Sequence, residues 1–170
     1  MSRFTNKNIL VTGGSSGIGL ATAKRLASEG AKVLITGTNA DRLSTAAKDI
    51  PGLIAVRNDA GDPTAADALA EAAKDKLGSL DGLFLNAGFG RFHGLDEISV
   101  EEFDVHYAVN VRGPLLQAKA LSPLLNDSAA LLLNTSIARE MGMPGAAIYA
   151  STKGALRTVT RVLARELAGR

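Results

Sequence analysis

Hydrophobic positions along the chain fall into two kinds of stretch. Unbroken apolar and β-branched runs of strand length lie at Asn8 to Thr12, Lys32 to Thr36, Leu53 to Arg57, Leu83 to Asn86 and Ala129 to Thr135, each beginning or ending at turn-forming residues. Between them the apolar residues take helical spacing. One such stretch runs from Ile18 to Glu29 and stops at Gly30, and a second surrounds Ala40 to Asp49. A third opens at Asp62-Pro63, an N-cap followed by proline at the first helical position, and ends before Gly78. A longer helix is predicted from Ser99-Val100-Glu101-Glu102, which has capping-box form, and a last one from about Tyr149 to Leu167. Regular alternation of short buried strands with helices predicts an α/β fold: parallel strands joined by right-handed crossovers, in a doubly wound sheet with helices on both faces. No repeat, linker or low-complexity stretch divides residues 1–170, so one domain is expected.

Composition narrows the function classes. With 170 residues, 46% of them hydrophobic, the chain can bury roughly two-thirds of its unfolded surface. A formal net charge of +2 comes from basic residues scattered along the chain, which leaves no patch for a nucleic-acid backbone. There is no cysteine, hence no disulfide framework and no thiolate metal site. His93 and His106 lack partners at metal-ligand spacing and read as surface or loop residues, so no metal is expected. The longest apolar runs, such as Ala129 to Leu133, fall well short of the about 20 residues needed to cross a bilayer. The polar start Met1-Ser2-Arg3-Phe4-Thr5-Asn6 lacks the apolar core of a signal peptide, and a cytoplasmic protein is the expectation.

The first strand runs directly into Thr12-Gly13-Gly14-Ser15-Ser16-Gly17-Ile18-Gly19 and then a helix. A pyrophosphate needs close backbone approach, free N–H groups and the positive end of a helix, and glycine supplies the first by lacking Cβ. Gly13, Gly17 and Gly19 are the expected essential three; a plain glycine-rich turn is the simpler alternative. The spacing G-x-x-x-G-x-G with Thr12 in front resembles the short-chain dehydrogenase/reductase family, whose fold is Rossmann-like. Asn86-Ala87-Gly88, at the end of the fourth strand, is similar to that family's Asn-Ala-Gly element. Asp59, with Ala60 beside it, stands where the family contacts adenine; a loop carboxylate capping a turn is the alternative for Asp59. Both elements lie at carboxyl ends of strands, the edge where open parallel sheets bind ligands.

Tyr149 and Lys153 are four residues apart in the last helix and share one face with Leu156, Thr160, Leu163 and Leu167, a stripe expected to face the core. A nearby ammonium and an oxidised nicotinamide both favour the phenolate, which would fit a phenol for proton transfer at neutral pH. The alternative is a tyrosine packed at the domain edge beside a snorkelling lysine. In the family that Ser136, Tyr149 and Lys153 resemble, tyrosine exchanges the proton, serine holds the substrate oxygen, and lysine also binds the nicotinamide ribose. Asn110, in Asn110-Val111-Arg112-Gly113, corresponds to a fourth catalytic member. Pro114 has no N–H for the Asn110 carbonyl, so a kink is predicted there, with the freed carbonyl expected to hold a water leading to Lys153; a kink that only curves the helix is the alternative.

The cofactor-binding set this implies is Gly13, Ser15, Ser16, Gly17, Ile18, Gly19, Thr38, Asn39, Asp59, Ala60, Asn86, Ala87 and Gly88, with Tyr149 and Lys153. Gly37-Thr38-Asn39 after the second strand carries no carboxylate to exclude the 2′-phosphate, and this favours NADP over NAD, with Arg42 near the phosphate. Neither Ser16 nor Thr38 is the arginine common at those places in NADP-using members.

Members of the family continue beyond the equivalent of Arg165-Glu166-Leu167 into a sixth strand, a substrate-covering segment and usually a seventh strand, whereas this chain ends at Ala168-Gly169-Arg170. The resemblance therefore implies a sheet incomplete at its C-terminal edge, with Ala130 to Leu133 as an apolar edge open to partners. Three function classes follow: an NAD(P)-dependent oxidoreductase interconverting a carbonyl and an alcohol, a truncated relative that binds cofactor without turnover, and a non-enzymatic oligomeric interaction protein. Ile137 to Gly145, with Met141 and Met143, is expected to border a non-ionic small-molecule substrate. The family also implies a homo-oligomer built on the helices of Asn110 and Tyr149.

Overall fold

The computed structural model describes residues 2–169; Met1 and Arg170, the ends of the expected domain, lie outside them. Strands β1 (Asn8–Val11), β2 (Lys32–Gly37), β3 (Ile54–Arg57), β4 (Leu80–Leu85) and β5 (Leu125–Leu133) form one parallel sheet in the order β3-β2-β1-β4-β5. Its helices are α1 (Gly17–Ser28), α2 (Ala40–Asp49), α3 (Ala65–Leu77), α4 (Val100–Tyr107), α5 (Gly113–Leu121) and α6 (Ala147–Glu166). This is the doubly wound, Rossmann-like α/β architecture.

The apolar runs are continuous because both sheet faces are buried. Ile9, Val11, Val33 and Ile35 enter one core layer with Ala23 of α1 and Leu43 and Ala46 of α2. Their neighbours Leu10 and Leu34 point the other way and join Leu83, Leu85, Leu69 of α3 and Leu121 of α5. Chain order reverses between β1 and β4, which opens a crevice at their carboxyl ends.

Several boundaries differ from the sequence reading. The third helix begins at Ala65 rather than at Asp62-Pro63, because the Asp62 carboxylate accepts the Thr64 N–H at 2.8 Å and its hydroxyl at 2.7 Å, closing a turn ahead of the helix. Only half of the capping box at Ser99 forms: Ser99 Oγ accepts the Glu102 N–H at 3.1 Å, while the Glu102 side chain is drawn to Arg91 Nη1 at 2.7 Å. β4 starts at Leu80 and β5 at Leu125, with a register irregularity near their starts where Ser128 takes a φ of 65°. The long helix expected from Ser99 is broken by a π-helical turn over Ala108–Arg112, in which the Gly113 N–H donates to the Ala108 carbonyl. Pro114, which has no N–H to donate, follows directly in the first turn of α5, so the break predicted there takes this π-helical form.

Among the described residues no helix is long and apolar enough to cross a membrane, and no cluster of three or more His, Cys, Asp or Glu could hold a metal. β5 is the terminal strand on its side of the sheet, and Leu132 on it is 55% exposed.

Candidate active site

A cleft of about 530 Å³ opens at the carboxyl ends of β1 to β4. Its lining includes Gly13, Ser15, Ser16, Gly17, Ile18, Thr38, Asn39, Asp59, Ala60, Asn86, Ala87 and Gly88, all expected from the sequence, together with Arg42.

The glycine turn has the shape a pyrophosphate requires. Gly13 and Gly17 take φ of 63° and 52°, a region that side chains disfavour. A Cβ on Gly19 would stand 2.3 Å from the Gly13 carbonyl oxygen, so the closeness of helix and turn depends on its absence. Ser16 precedes α1 without a side-chain cap hydrogen bond. The first N–H groups of the helix are thereby left for a ligand. Ile18 is 66% exposed in this lining, an apolar surface that a bound ring or ribose would cover. The residues present therefore fit a dinucleotide.

Thr12 holds the turn to the neighbouring strand. Its buried hydroxyl accepts the N–H groups of Asn86 and Ala87, each at 3.0 Å, and the Asn86 amide donates back to the Thr12 carbonyl at 3.1 Å. Asn134, at the end of β5, donates to Asn86 Oδ1 at 2.9 Å. The turn and the Asn-Ala-Gly element thus form one polar unit across three strands.

Of the four expected catalytic residues, Asn110 and Lys153 pack against Gly88, and Lys153 in turn lies beside Tyr149. Lys153 is 5% exposed, donates to the Asn134 carbonyl at 2.8 Å, and lies 5.8 Å from the centre of the Tyr149 ring. Burial pushes its ammonium pKa down. Asn110, fully buried in the π-helical turn, grips Phe89 at both backbone groups: it accepts the Phe89 N–H at 3.0 Å and donates to its carbonyl at 2.8 Å. It also donates to Thr152 Oγ1 at 3.2 Å, and that hydroxyl donates to the Tyr149 carbonyl at 2.7 Å. A Cβ on Gly88 would meet Asn110 Oδ1 at 3.0 Å and Lys153 Nζ at 3.3 Å. Ser136 stands two residues past Asn134, where its Oγ accepts the Ala138 N–H at 3.1 Å. Tyr149, Lys153 and Gly19 stand outside the lining of the wide cleft.

Three sequence readings change. Asp59 takes the reading given as its alternative, capping a turn by accepting the Gly61 N–H at 2.8 Å, and the residue also lines the cleft. Asn39 Oδ1 is engaged as the N-cap of α2, accepting the Arg42 N–H at 2.9 Å, which leaves its amide as the free donor. His106 is neither a surface nor a loop residue: it sits on α4 with no exposure, because both ring nitrogens find backbone partners and Phe89 packs on its face at 4.4 Å. His93 is a loop residue, as read. Sequence reasoning also passed over Asn134 and Thr152. Asn134 had a usable signal, a polar residue closing an apolar strand at the ligand-binding edge.

Comparison with known proteins places this geometry. Residues 7–170 match the family model for short chain dehydrogenases. An uncharacterized oxidoreductase of Methylorubrum extorquens is 38% identical over 175 residues, covering 100% of this chain and 71% of the relative. A short chain dehydrogenase from Burkholderia cenocepacia, solved in complex with NADP, superposes with a TM-score of 0.93 at 35% identity, covering 99% of this chain and 71% of that one. A 3-ketoacyl-(acyl-carrier-protein) reductase from Brucella melitensis, complexed with NADH, gives 0.92 at 35% identity, with 97% and 72% covered. By motif, sheet order and overall similarity, the chain belongs to the short-chain dehydrogenase family.

Proposed function

We propose that this chain is the cofactor-binding and proton-transfer part of an oxidoreductase that interconverts a carbonyl and an alcohol, with NADP(H) preferred over NAD(H). One observation carries the reading: Gly88 lines the wide cleft and at the same time packs against Asn110 and Lys153, so the groups that handle protons meet the dinucleotide-shaped cleft at one point. The N–H groups at the start of α1 and the turn from Gly13 to Gly19 would hold the pyrophosphate, and Asp59 and Ala60 the adenine side. Thr38, the Asn39 amide and the Arg42 guanidinium, all in the cleft lining, supply donors for a 2′-phosphate, with no carboxylate among them to repel it. The bound nicotinamide would supply or accept the hydride.

The chain's own residues then divide the remaining work. Tyr149 gives its phenolic proton to the carbonyl oxygen during reduction and takes one back during oxidation. Lys153, fixed by the Asn134 carbonyl, places a positive charge beside the ring that favours the phenolate. Ser136 Oγ holds the substrate oxygen, and Asn110 ties this group to the loop after β4. Ile137, Met141 and Met143 are exposed at the segment between Ser136 and Tyr149, which suits a non-ionic substrate. The exposed Val100, Phe103, Val105, Leu115 and Val162 of α4, α5 and α6 support a homo-oligomer, which gel filtration reads directly.

The deciding experiment titrates NADPH and NADH by fluorescence and follows reduction of a simple ketone by the parent and by Tyr149→Phe. Tyr149→Phe is expected to keep NADPH affinity within about threefold and to lower turnover by a factor on the order of 100 or more. Tight NADPH binding without turnover by the parent selects the reading of a binder without catalysis. Absence of binding to either cofactor selects the non-enzymatic one.

A further inference from the structure

The loop that follows Gly88 shows a two-residue alternation. Phe89 and Arg91 present their backbone N–H groups to α4 and the π-helical turn, at Asn110 Oδ1 and His106 Nε2, each at 3.0 Å. Gly90 and Phe92 face the other way, onto Tyr149. A Cβ on Gly90 would lie 2.9 Å from Tyr149 Cδ2 and 3.2 Å from Cγ, and the Phe92 ring meets the Tyr149 ring edge-on at 5.9 Å. His106 and Asn110 are four residues apart, about 6 Å of helix rise, and alternate residues of an extended segment advance about 6.6 Å, so the two acceptors match two successive donors. The loop is held on one side by a pair of side chains and seats the Tyr149 ring with the other.

His106 can accept from Arg91 only through an unprotonated Nε2, which requires the proton on Nδ1. Nδ1 lies 2.7 Å from the Glu102 carbonyl, the partner that fixes this tautomer. The Glu102 carboxylate, 3.6 Å from Nδ1 and 3.7 Å from His93 Nε2, also bonds the Arg91 guanidinium at 2.7 Å. The His93 N–H donates to the Gly145 carbonyl at 3.0 Å and ties the far end of the loop to the segment entering α6.

We propose that His106 is a positioning residue for Tyr149: with Asn110 it clamps the loop Phe89–Phe92, and through Gly90 and Phe92 it sets the orientation of the phenol. This rests on the catalytic role proposed for Tyr149, but its geometric part can be measured without turnover. In the full chain, Gln at 106 offers an acceptor near the position of Nε2, whereas Asn reaches only the position of Nδ1. His106→Gln is therefore the rescuing variant and His106→Asn the disabling one.

Nuclear Overhauser contacts between Gly90 and the Tyr149 ring should persist in the parent and in His106→Gln and vanish in His106→Asn, with Arg91 amide exchange in His106→Asn faster by about tenfold or more. With acetophenone as the carbonyl probe, His106→Asn should lose about tenfold or more in kcat while its NADPH affinity stays within about twofold, and His106→Gln should stay within about threefold of the parent in both. Retention of the Gly90 contacts in His106→Asn, or their loss in His106→Gln, overturns the proposal. If the Asn variant does not fold, the parent decides: a nitrogen spectrum at neutral pH showing a proton on His106 Nε2 refutes the clamp. A parent that binds no NADPH or turns over no ketone counts against the functional reading alone, since the contacts and the tautomer still decide the clamp.

Discussion

At the scale of single residues, the site is governed by where a side chain is missing as much as by where one is present. Gly90 is the clearest case, because its Cα lies against the Tyr149 ring with no room for a methyl group. Gly90→Ala should displace the phenol, lowering turnover by about tenfold or more while NADPH affinity stays within about twofold, as steady-state kinetics beside a binding titration would show. The sequence made the Gly13, Gly17 and Gly19 requirement legible, since the pattern sits between a strand and a helix. It did not make Gly90 or His106 legible, because their importance lies in contacts with Tyr149 and Arg91 made across the fold. A single histidine on a helix has no sequence pattern that distinguishes a buried acceptor from a solvated side chain, and its Arg91 partner lies on a separate loop.

At the scale of elements, one helix start joins stability to cofactor choice. Asn39 caps α2 through Oδ1 and presents its amide to the cleft, so Asn39→Asp should preserve the cap, for which aspartate serves as well, while placing a carboxylate where a 2′-phosphate would lie. The expected outcome is a melting temperature close to the parent and a shift of the NADPH to NADH affinity ratio toward NADH by about tenfold or more, read by parallel fluorescence titrations. The break in the long helix also belongs here. Pro114 predicted a kink near Asn110, and the structure breaks the helix there with a π-helical turn that the sequence did not foresee. The π-helical turn widens the ring of backbone hydrogen bonds at Ala108–Arg112, the segment where Asn110 turns inward to Phe89.

At the scale of the whole molecule, the N-terminal segment is fastened to the end of α1 at Glu29. Glu29 forms ion pairs with Arg3 and Arg25, and its backbone carbonyl accepts from Ser2 Oγ and from the Phe4 N–H. Hydrogen bonds from Arg3 and then Arg25 lower the Glu29 pKa to about 2 from an ordinary 4.5. A carboxylate whose pKa is depressed on folding contributes stability that is present above the unfolded value and lost as the pH falls through the folded one. Urea denaturation should therefore find Glu29→Gln less stable than the parent above about pH 4.5, with the difference closing as the pH falls toward about 2 and shrinking in high salt. A difference that persists unchanged at pH 2 would assign the effect to packing of the side chain instead of its charge.

Strand and helix alternation, the glycine turn and the Ser136, Tyr149 and Lys153 spacing were determined by the sequence alone, because each depends on periodicity or on residues close together along one element. Tertiary structure decided the rest. The polar unit of Thr12, Asn86 and Asn134 and the burial of His106 arise only when separate strands and helices meet. Their energetic value comes from backbone donors and acceptors that face one another in space and are far apart in the chain, a relation that no local pattern encodes.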